Sequence, residues 1–205
     1  MSLLTSPLRT QVLPNDMSRA TMLAADVLLV SAGVLLISLA AQISIHIPGT
    51  PVPGTLQTGA VLLVGASLGS LRGFLTLALY LLAGTALPVF AGGSSGWDVL
   101  HWGRSTGATG GYLVGMLLAA SVVGALAERG WDRRVPSALG MLALGDALVF
   151  LVGVPWLHAA TGMSWWAAID KGFLWFVVIE AVKFCIVAGL LPAAWALVRR
   201  VRSGA

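Results

Sequence analysis

Residues 174–198 read LWFVVIEAVKFCIVAGLLPAAWALV. The run exceeds the ~20 residues that an α-helix needs to cross a bilayer, yet it carries two ionisable side chains, Glu180 and Lys183, in its first half. A spacing of three puts both on one helix face within contact distance. An ionised side chain at membrane depth costs about 2.5 to 3.5 kcal/mol even on the lenient insertion scale, so such groups pair with one another or face a cavity. Two readings stay open: an internal ion pair that neutralises itself, or a polar spot that receives a ligand.

Outward from this run, the whole chain has the same character. Of its 205 residues, 58% are hydrophobic and 10% charged, with a mean hydropathy of +0.91, whereas a soluble domain is about 25% charged. Apolar runs are predicted to form helices over about 22–41, 52–69, 73–91, 110–127, 138–157 and 174–198. Six spans use about 120 residues, so the expectation is one all-α integral membrane domain over 1–205, with no sizeable soluble part. The second run is the weak one: its clearly apolar stretch, 56–69, reaches only about 21 Å at 1.5 Å per residue, so it begins nearer Val52 or is re-entrant.

Six runs bring both termini to one side. Arg9, Arg19, Arg72, Arg129, Arg133, Arg134, Arg199, Arg200 and Arg202 then fall on that side, Arg104 and Lys171 on the other, and Lys183 lies within a span. The positive-inside rule makes both termini cytoplasmic, and the basic balance reports topology rather than nucleic-acid binding. Loops over 44–55, 92–109 and 158–170 face outside, and the last helix enters from there, placing Glu180 and Lys183 about 9 to 14 Å deep.

Other polar residues carry weaker signals. Asp146, between Gly145 and Ala147 near the middle of the fifth run, has no partner legible in the sequence. Asp26, near the cytoplasmic start of the first run, is expected to reach interfacial water. The lone Cys185 excludes an intrachain disulfide and a cysteine metal cluster. His46, His101 and His158 are assigned to outer loops, and Trp97, Trp102, Trp156, Trp165 and Trp166 to an outer aromatic belt. No metal site, phosphate-binding loop or H-E-x-x-H is present. Gly92-Gly93-Ser94-Ser95-Gly96 formally contains a serine-hydrolase pattern, with His158 as a conceivable base, but the strand and helix that a nucleophile elbow needs are missing. Small residues recur four apart at Gly65, Gly69 and Gly73, at Gly111 and Gly115, at Ala20 and Ala24, and at Ala143 and Ala147, where helices can approach closely.

Several ordered stretches have family-like spacing: Gln42-Ile43-Ser44-Ile45 leading to Pro51-Val52-Pro53, Thr55-Leu56-Gln57-Thr58, Leu87-Pro88-Val89-Phe90-Ala91-Gly92-Gly93, and Thr109-Gly110-Gly111-Tyr112-Leu113. Over about 40–192 the chain closely resembles the BioY family, the biotin-binding S components of energy-coupling factor (ECF) vitamin transporters. The resemblance implies a six-helix membrane protein of the S-component type that captures biotin from outside the cell membrane. It also implies a transmembrane coupling protein and two cytoplasmic ATPases as partners, with no cofactor, no catalysis and no nucleic acid. In that family an Asp followed three residues later by Lys contacts biotin, and Glu180 and Lys183 stand at the matching positions. A carboxylate and an ammonium suit a cyclic urea, which offers two N–H donors and one carbonyl.

The resemblance further assigns Phe90 and Tyr112 to the apolar walls and Gly92 and Gly93 to a pocket loop, where the family sometimes has Asn at the position of Gly92. The stiff loop with Pro48, Pro51 and Pro53 becomes a lid, and Ala20 with Ala24 a surface for the coupling protein. The usual Gly-Pro-Thr-Gly-Gly reads Gly107-Ala108-Thr109-Gly110-Gly111 here, so a looser approach to the fourth helix is expected without the proline. Three rivals remain: the same scaffold with another vitamin, a self-sufficient secondary transporter using Asp146 and Glu180, and an intramembrane hydrolase using Ser94 or Ser95.

Overall fold

The structure, a computed structural model, describes residues 18–101 and 107–203, with side chains described through 196. Arg9, Trp102 and Arg104 lie outside the described residues, as do the side chains of Arg199, Arg200 and Arg202.

The chain is mostly helical. Helix α1 is Arg19–Gln42, capped by the Ser18 hydroxyl, which accepts from Thr21 N at 3.2 Å. A two-residue antiparallel pair, β1 (Ser44–Ile45) with β2 (Gly54–Thr55), closes the loop that follows. Then come α2 (Gln57–Leu68), α3 (Ser70–Gly84), the short α4 (Trp97–Leu100), α5 (Gly110–Glu128), α6 (Val135–Thr161), α7 (Trp165–Gly172) and α8 (Val177–Ser203). Single 3₁₀ turns lie at Ala91–Gly93, Trp131–Arg133 and Leu174–Phe176.

Among the described residues, four stretches are long and apolar enough to cross a membrane: Arg19–Gln42, Gly110–Glu128, Val135–Thr161 and Trp165–Ala196. The other two expected runs come out shorter than read. Helix α2 begins at Gln57 rather than near Val52, because β2 and the tight loop before it take up 52–56, and α3 ends at Gly84 rather than 91. With 12 and 15 residues they measure about 18 and about 22 Å. The segment 158–170, expected as an outer loop, is also not a loop: α6 runs on to Thr161, and Ser164 caps α7 by accepting from Ala167 N at 3.2 Å. His158 is therefore helical, its Nδ1 2.6 Å from Met163 O and its ring stacked on Trp165.

The chain reverses between α2 and α3 at Gly69, whose φ of 87° and ψ of 176° are essentially confined to glycine. Glu128, at the end of α5, accepts from both the backbone N–H (2.8 Å) and the hydroxyl (3.0 Å) of Ser70, supplying an anionic cap to the first turn of α3. Arg72, two residues on, pairs with Asp26 at 2.8 Å. Asp26 thus does more than reach interfacial water; an arginine on a neighbouring helix meets it.

Helix α5 is central, with 61% of its apolar window buried against 11% for α1. Its glycines and alanines make this possible. A Cβ on Gly65 would lie 2.6 Å from Ala120 O, one on Gly124 2.4 Å from Gly69 C, and one on Gly115 2.8 Å from Val149 Cα. The small residues of α2, α3 and α5 therefore serve packing within the bundle, while Ala20, Ala24, Ala143 and Ala147 are exposed. The α2–α3 reversal, the end of α5 and the start of α6 share one end of the bundle, with Arg72, Arg129, Arg133 and Arg134; Lys171 lies toward the other.

At the basic end the 3₁₀ turn Trp131–Arg133 is fastened to α8. Trp195 donates from Nε1 to the buried Asp132 carboxylate, and the Arg133 guanidinium lies 4.4 Å over the Trp195 ring.

Candidate functional site

At the opposite end a cavity of about 590 Å³, open solvent at its mouth included, lies between the first turns of α2, α5 and α8 and the C-terminal half of α6. Ligand pockets combine apolar walls with a few polar groups. Phe90, Tyr112, Met116, Phe150 and Phe176 supply apolar surface, and Gln57, Thr58 and Glu180 supply polar groups. Three of these four helices present their beginnings here: Tyr112 and Met116 lie one turn apart on α5, and Phe176, in the 3₁₀ turn before α8, lies one turn from Glu180.

Glu180 and Lys183 come together. Lys183 Nζ donates to Glu180 Oε1 at 2.6 Å, and both side chains are buried, at 7% and 5% exposure for Lys183 and Glu180. Thr58 Oγ1 reaches the same oxygen at 3.5 Å, while Glu180 Oε2, equally buried, has no hydrogen-bond partner among the described residues. Glu180 lines the cavity; Lys183 lies behind it, its stem packed over Gly59, where a Cβ would sit 3.7 Å away. Asp146 is buried one turn before Val149 and Phe150 on α6, within electrostatic range of both Glu180 and Lys183 but not on the cavity wall, and its Oδ1 has no hydrogen-bond partner among the described residues.

Phe90 is held from several sides. Its ring rests on Gly84, where a Cβ would fall 2.0 Å from it, and meets the Tyr80 ring edge-on at 5.5 Å between centroids. Gln42 Nε2 donates to the carbonyls of Val89 (3.4 Å) and Phe90 (3.2 Å), and the Tyr80 hydroxyl donates to Val89 O at 3.0 Å. Tyr112 is fixed by donating to Gly172 O at 2.9 Å, with its ring against Gly153 and edge-on to Phe150.

Gly92 and Gly93 are exposed at the rim, while Ala91 and Ser94 beside them face the cavity. Gly92 has φ +64°, ψ 25°, a left-handed conformation that asparagine also tolerates. Ser94 donates to Ala91 O at 2.9 Å, and the hydrogen bond of His158 is to Met163, so this serine and the expected base are not joined.

The loop between β1 and β2 covers the mouth through Val52 and Pro53, and it is tied to the far side where Thr50 Oγ1 donates to Lys171 O at 2.8 Å. At the approach to α5, Trp156 Nε1 donates to Gly107 O at 2.8 Å, and Ala108 is buried.

Sequence reading missed Gln57, Thr58, Val99, Met116, Phe150 and Phe176 as wall residues. Spacing held a signal for two of them: Phe176 lies one turn from Glu180, and Met116 one turn from Tyr112. Gln57 and Thr58 stood in a stretch already singled out, without a role.

Comparison with known proteins agrees with this architecture. The chain is 38% identical over 163 residues, 79% of its length and 91% of the relative's, to a protein of Pyrococcus horikoshii described as a probable biotin transporter BioY. It is 37% identical over 161 residues, covering 78% and 90% of the two chains, to the biotin transporter BioY of Thermotoga maritima. Its fold matches, with a TM-score of 0.72 at 21% identity and over 91% of this chain and 95% of the other, the crystal structure of the S-component for biotin from an ECF-type ABC transporter. The BioY family model matches residues 12–200, nearly the whole sequence, and the chain belongs to the BioY family.

Proposed function

We propose that this protein is the biotin-capturing S component of an ATP-driven ECF vitamin transporter in the cell membrane. The observation that carries the reading is the buried Glu180 carboxylate on the cavity wall, which keeps one oxygen without a hydrogen-bond partner beside the Lys183 ammonium. A dry site of this kind favours a ligand with N–H donors for the carboxylate and an acceptor within reach of the ammonium, and a cyclic urea supplies both. A polar group left unpaired in the cavity costs about 1 to 3 kcal/mol, which gives selectivity against ligands of another pattern.

Phe90 and Tyr112 form walls for the fused rings, and the rim at Gly92 and Gly93 together with the Val52–Pro53 lid bounds the mouth. Asp146 supports the Glu180 and Lys183 pair from below rather than touching the ligand. The chain is one membrane domain with six membrane-embedded helices. The gathering of Arg72, Arg129, Arg133 and Arg134 at the end opposite the cavity supports cytoplasmic termini and an outward-facing site.

Relatives named as transporters support a role without catalysis. Energy comes from partners, a transmembrane coupling protein and two cytoplasmic ATPases, with the exposed Ala20 and Ala24 on α1 as the docking face for the coupling protein. A competition series on the purified protein tests the ligand: biotin and desthiobiotin displace labelled biotin, and thiamine and riboflavin do not. Displacement by thiamine or riboflavin but not by biotin would reassign the scaffold to another vitamin. Uptake into vesicles without ATPases, driven by a proton gradient, would contradict the partnership.

A further inference from the structure

Gln57 is 3% exposed and lines the cavity at the start of α2. Its Nε2 lies 3.1 Å from the Tyr80 hydroxyl, which lies 3.0 Å from Val89 O. Donor and acceptor capacities fix how this chain is ordered. A backbone carbonyl only accepts, so the single hydroxyl hydrogen of Tyr80 is committed to Val89. Tyr80 therefore accepts from Gln57, and the amide of Gln57 presents its NH₂ toward Tyr80. The reverse orientation would set two acceptors against each other. Val89 O also receives Gln42 Nε2 at 3.4 Å.

The consequence lies at the other end of the amide. With Nε2 committed, the carbonyl oxygen of Gln57 has no hydrogen bond within the described residues, on a side chain that is buried except where it borders the cavity. The next residue, Thr58, reaches Glu180, so the amide and the carboxylate belong to neighbouring walls.

We infer that Gln57 is a specificity-determining residue that offers a carbonyl acceptor to a ligand N–H, and that Tyr80, outside the cavity, is a positioning residue that holds the amide in that orientation. The inference rests on the biotin reading, in which one ureido N–H meets Glu180 and the other meets Gln57. It distinguishes the two ureido donors, since one is read by a carboxylate and the other by a neutral amide aimed from behind.

Biotin titration by calorimetry on purified wild type, Gln57→Leu, Tyr80→Phe and the double variant tests it, with thermal melts of each ligand-free protein alongside. Gln57→Leu leaves a ligand N–H unpaired and weakens binding by about tenfold or more. Tyr80→Phe keeps the ring against Phe90 but frees the amide to rotate, and weakens binding several-fold although it touches no ligand. In the Gln57→Leu background the same change has no further effect on affinity. A merely structural role for Tyr80 would move the melting temperature and leave the affinity of the folded protein unchanged. Wild-type affinity in Tyr80→Phe, or losses that multiply in the double variant, overturns the positioning role; wild-type affinity in Gln57→Leu overturns the acceptor role. Should Gln57→Leu not fold, Gln57→Met replaces it with the same reading. A folded wild type that binds no biotin overturns the biotin reading itself and this assignment with it.

Discussion

Replacing Lys183 by Met removes the one strong partner of a buried carboxylate. In the intact protein Lys183 Nζ lies 2.6 Å from Glu180 Oε1, the two side chains are 7% and 5% exposed, and Glu180 Oε2 has no hydrogen-bond partner among the described residues. After the change Glu180 keeps only Thr58, whose 3.5 Å approach is at the limit of a hydrogen bond. Breaking a buried ion pair by removing one partner costs about 3 to 5 kcal/mol, most of it the uncompensated charge left behind. Glu180→Gln alone strands the ammonium and falls in the same range. The double variant Glu180→Gln/Lys183→Met leaves no buried charge in the pair and recovers most of the loss, to within about 1.5 kcal/mol of wild type. Denaturant titration in detergent micelles, followed by tryptophan fluorescence, measures all four proteins and yields the coupling between the two positions. Single variants as stable as wild type, or a double variant no better than either single, would refute the description of the pair as dry and mutually dependent.

Three further outcomes follow from the packing. Gly153→Ala sets a methyl group where the Tyr112 ring now lies, 2.4 Å away, and the overpacking costs about 1 to 3 kcal/mol in the same unfolding assay and weakens biotin binding. Glu128→Ala removes the acceptor for the Ser70 N–H and hydroxyl and lowers stability by about 1 kcal/mol, without a change in ligand affinity. Burial holds the Asp132 carboxyl, in the turn between α5 and α6, above the usual carboxylate range, although Trp195, its own backbone and Arg133 act in the opposite direction. The folded state therefore binds this proton more tightly than the unfolded chain does. The stability it contributes is full below the unfolded pKa and is lost as pH rises through the folded one. Asp132→Asn flattens that part of the stability–pH curve, measured by melts across the acidic range; an unchanged slope would contradict it.

The last helix and its polar pair were legible in the sequence because an i, i+3 spacing of opposite charges in an apolar run leaves few arrangements. Phe90, Tyr112 and the proline loop were legible only through ordered family stretches, since nothing in an isolated aromatic residue says which cavity it faces. The bounds of α2 and α3 were not legible. Hydropathy does not register that residues before Gln57 are spent on a strand pair, or that Gly69 reverses the chain. Residues 158–170 misled because polar and aromatic residues resemble a loop, whereas Ser164 starts a helix by capping it. Partners that depend on tertiary packing, Asp26 with Arg72 and Asp132 with Trp195, had no sequence signal, as 46 and 63 residues separate them. Gln57 was quoted but not assigned, because its role depends on a hydrogen-bond chain through Tyr80 on another helix.

The most direct test of the account is calorimetric titration of biotin into the purified protein, with Glu180→Gln and Lys183→Met measured in parallel. Wild type is expected to bind biotin tightly at one to one, and both variants, each verified as folded by its tryptophan fluorescence, to lose that binding. Unchanged affinity in folded Glu180→Gln and Lys183→Met would contradict it.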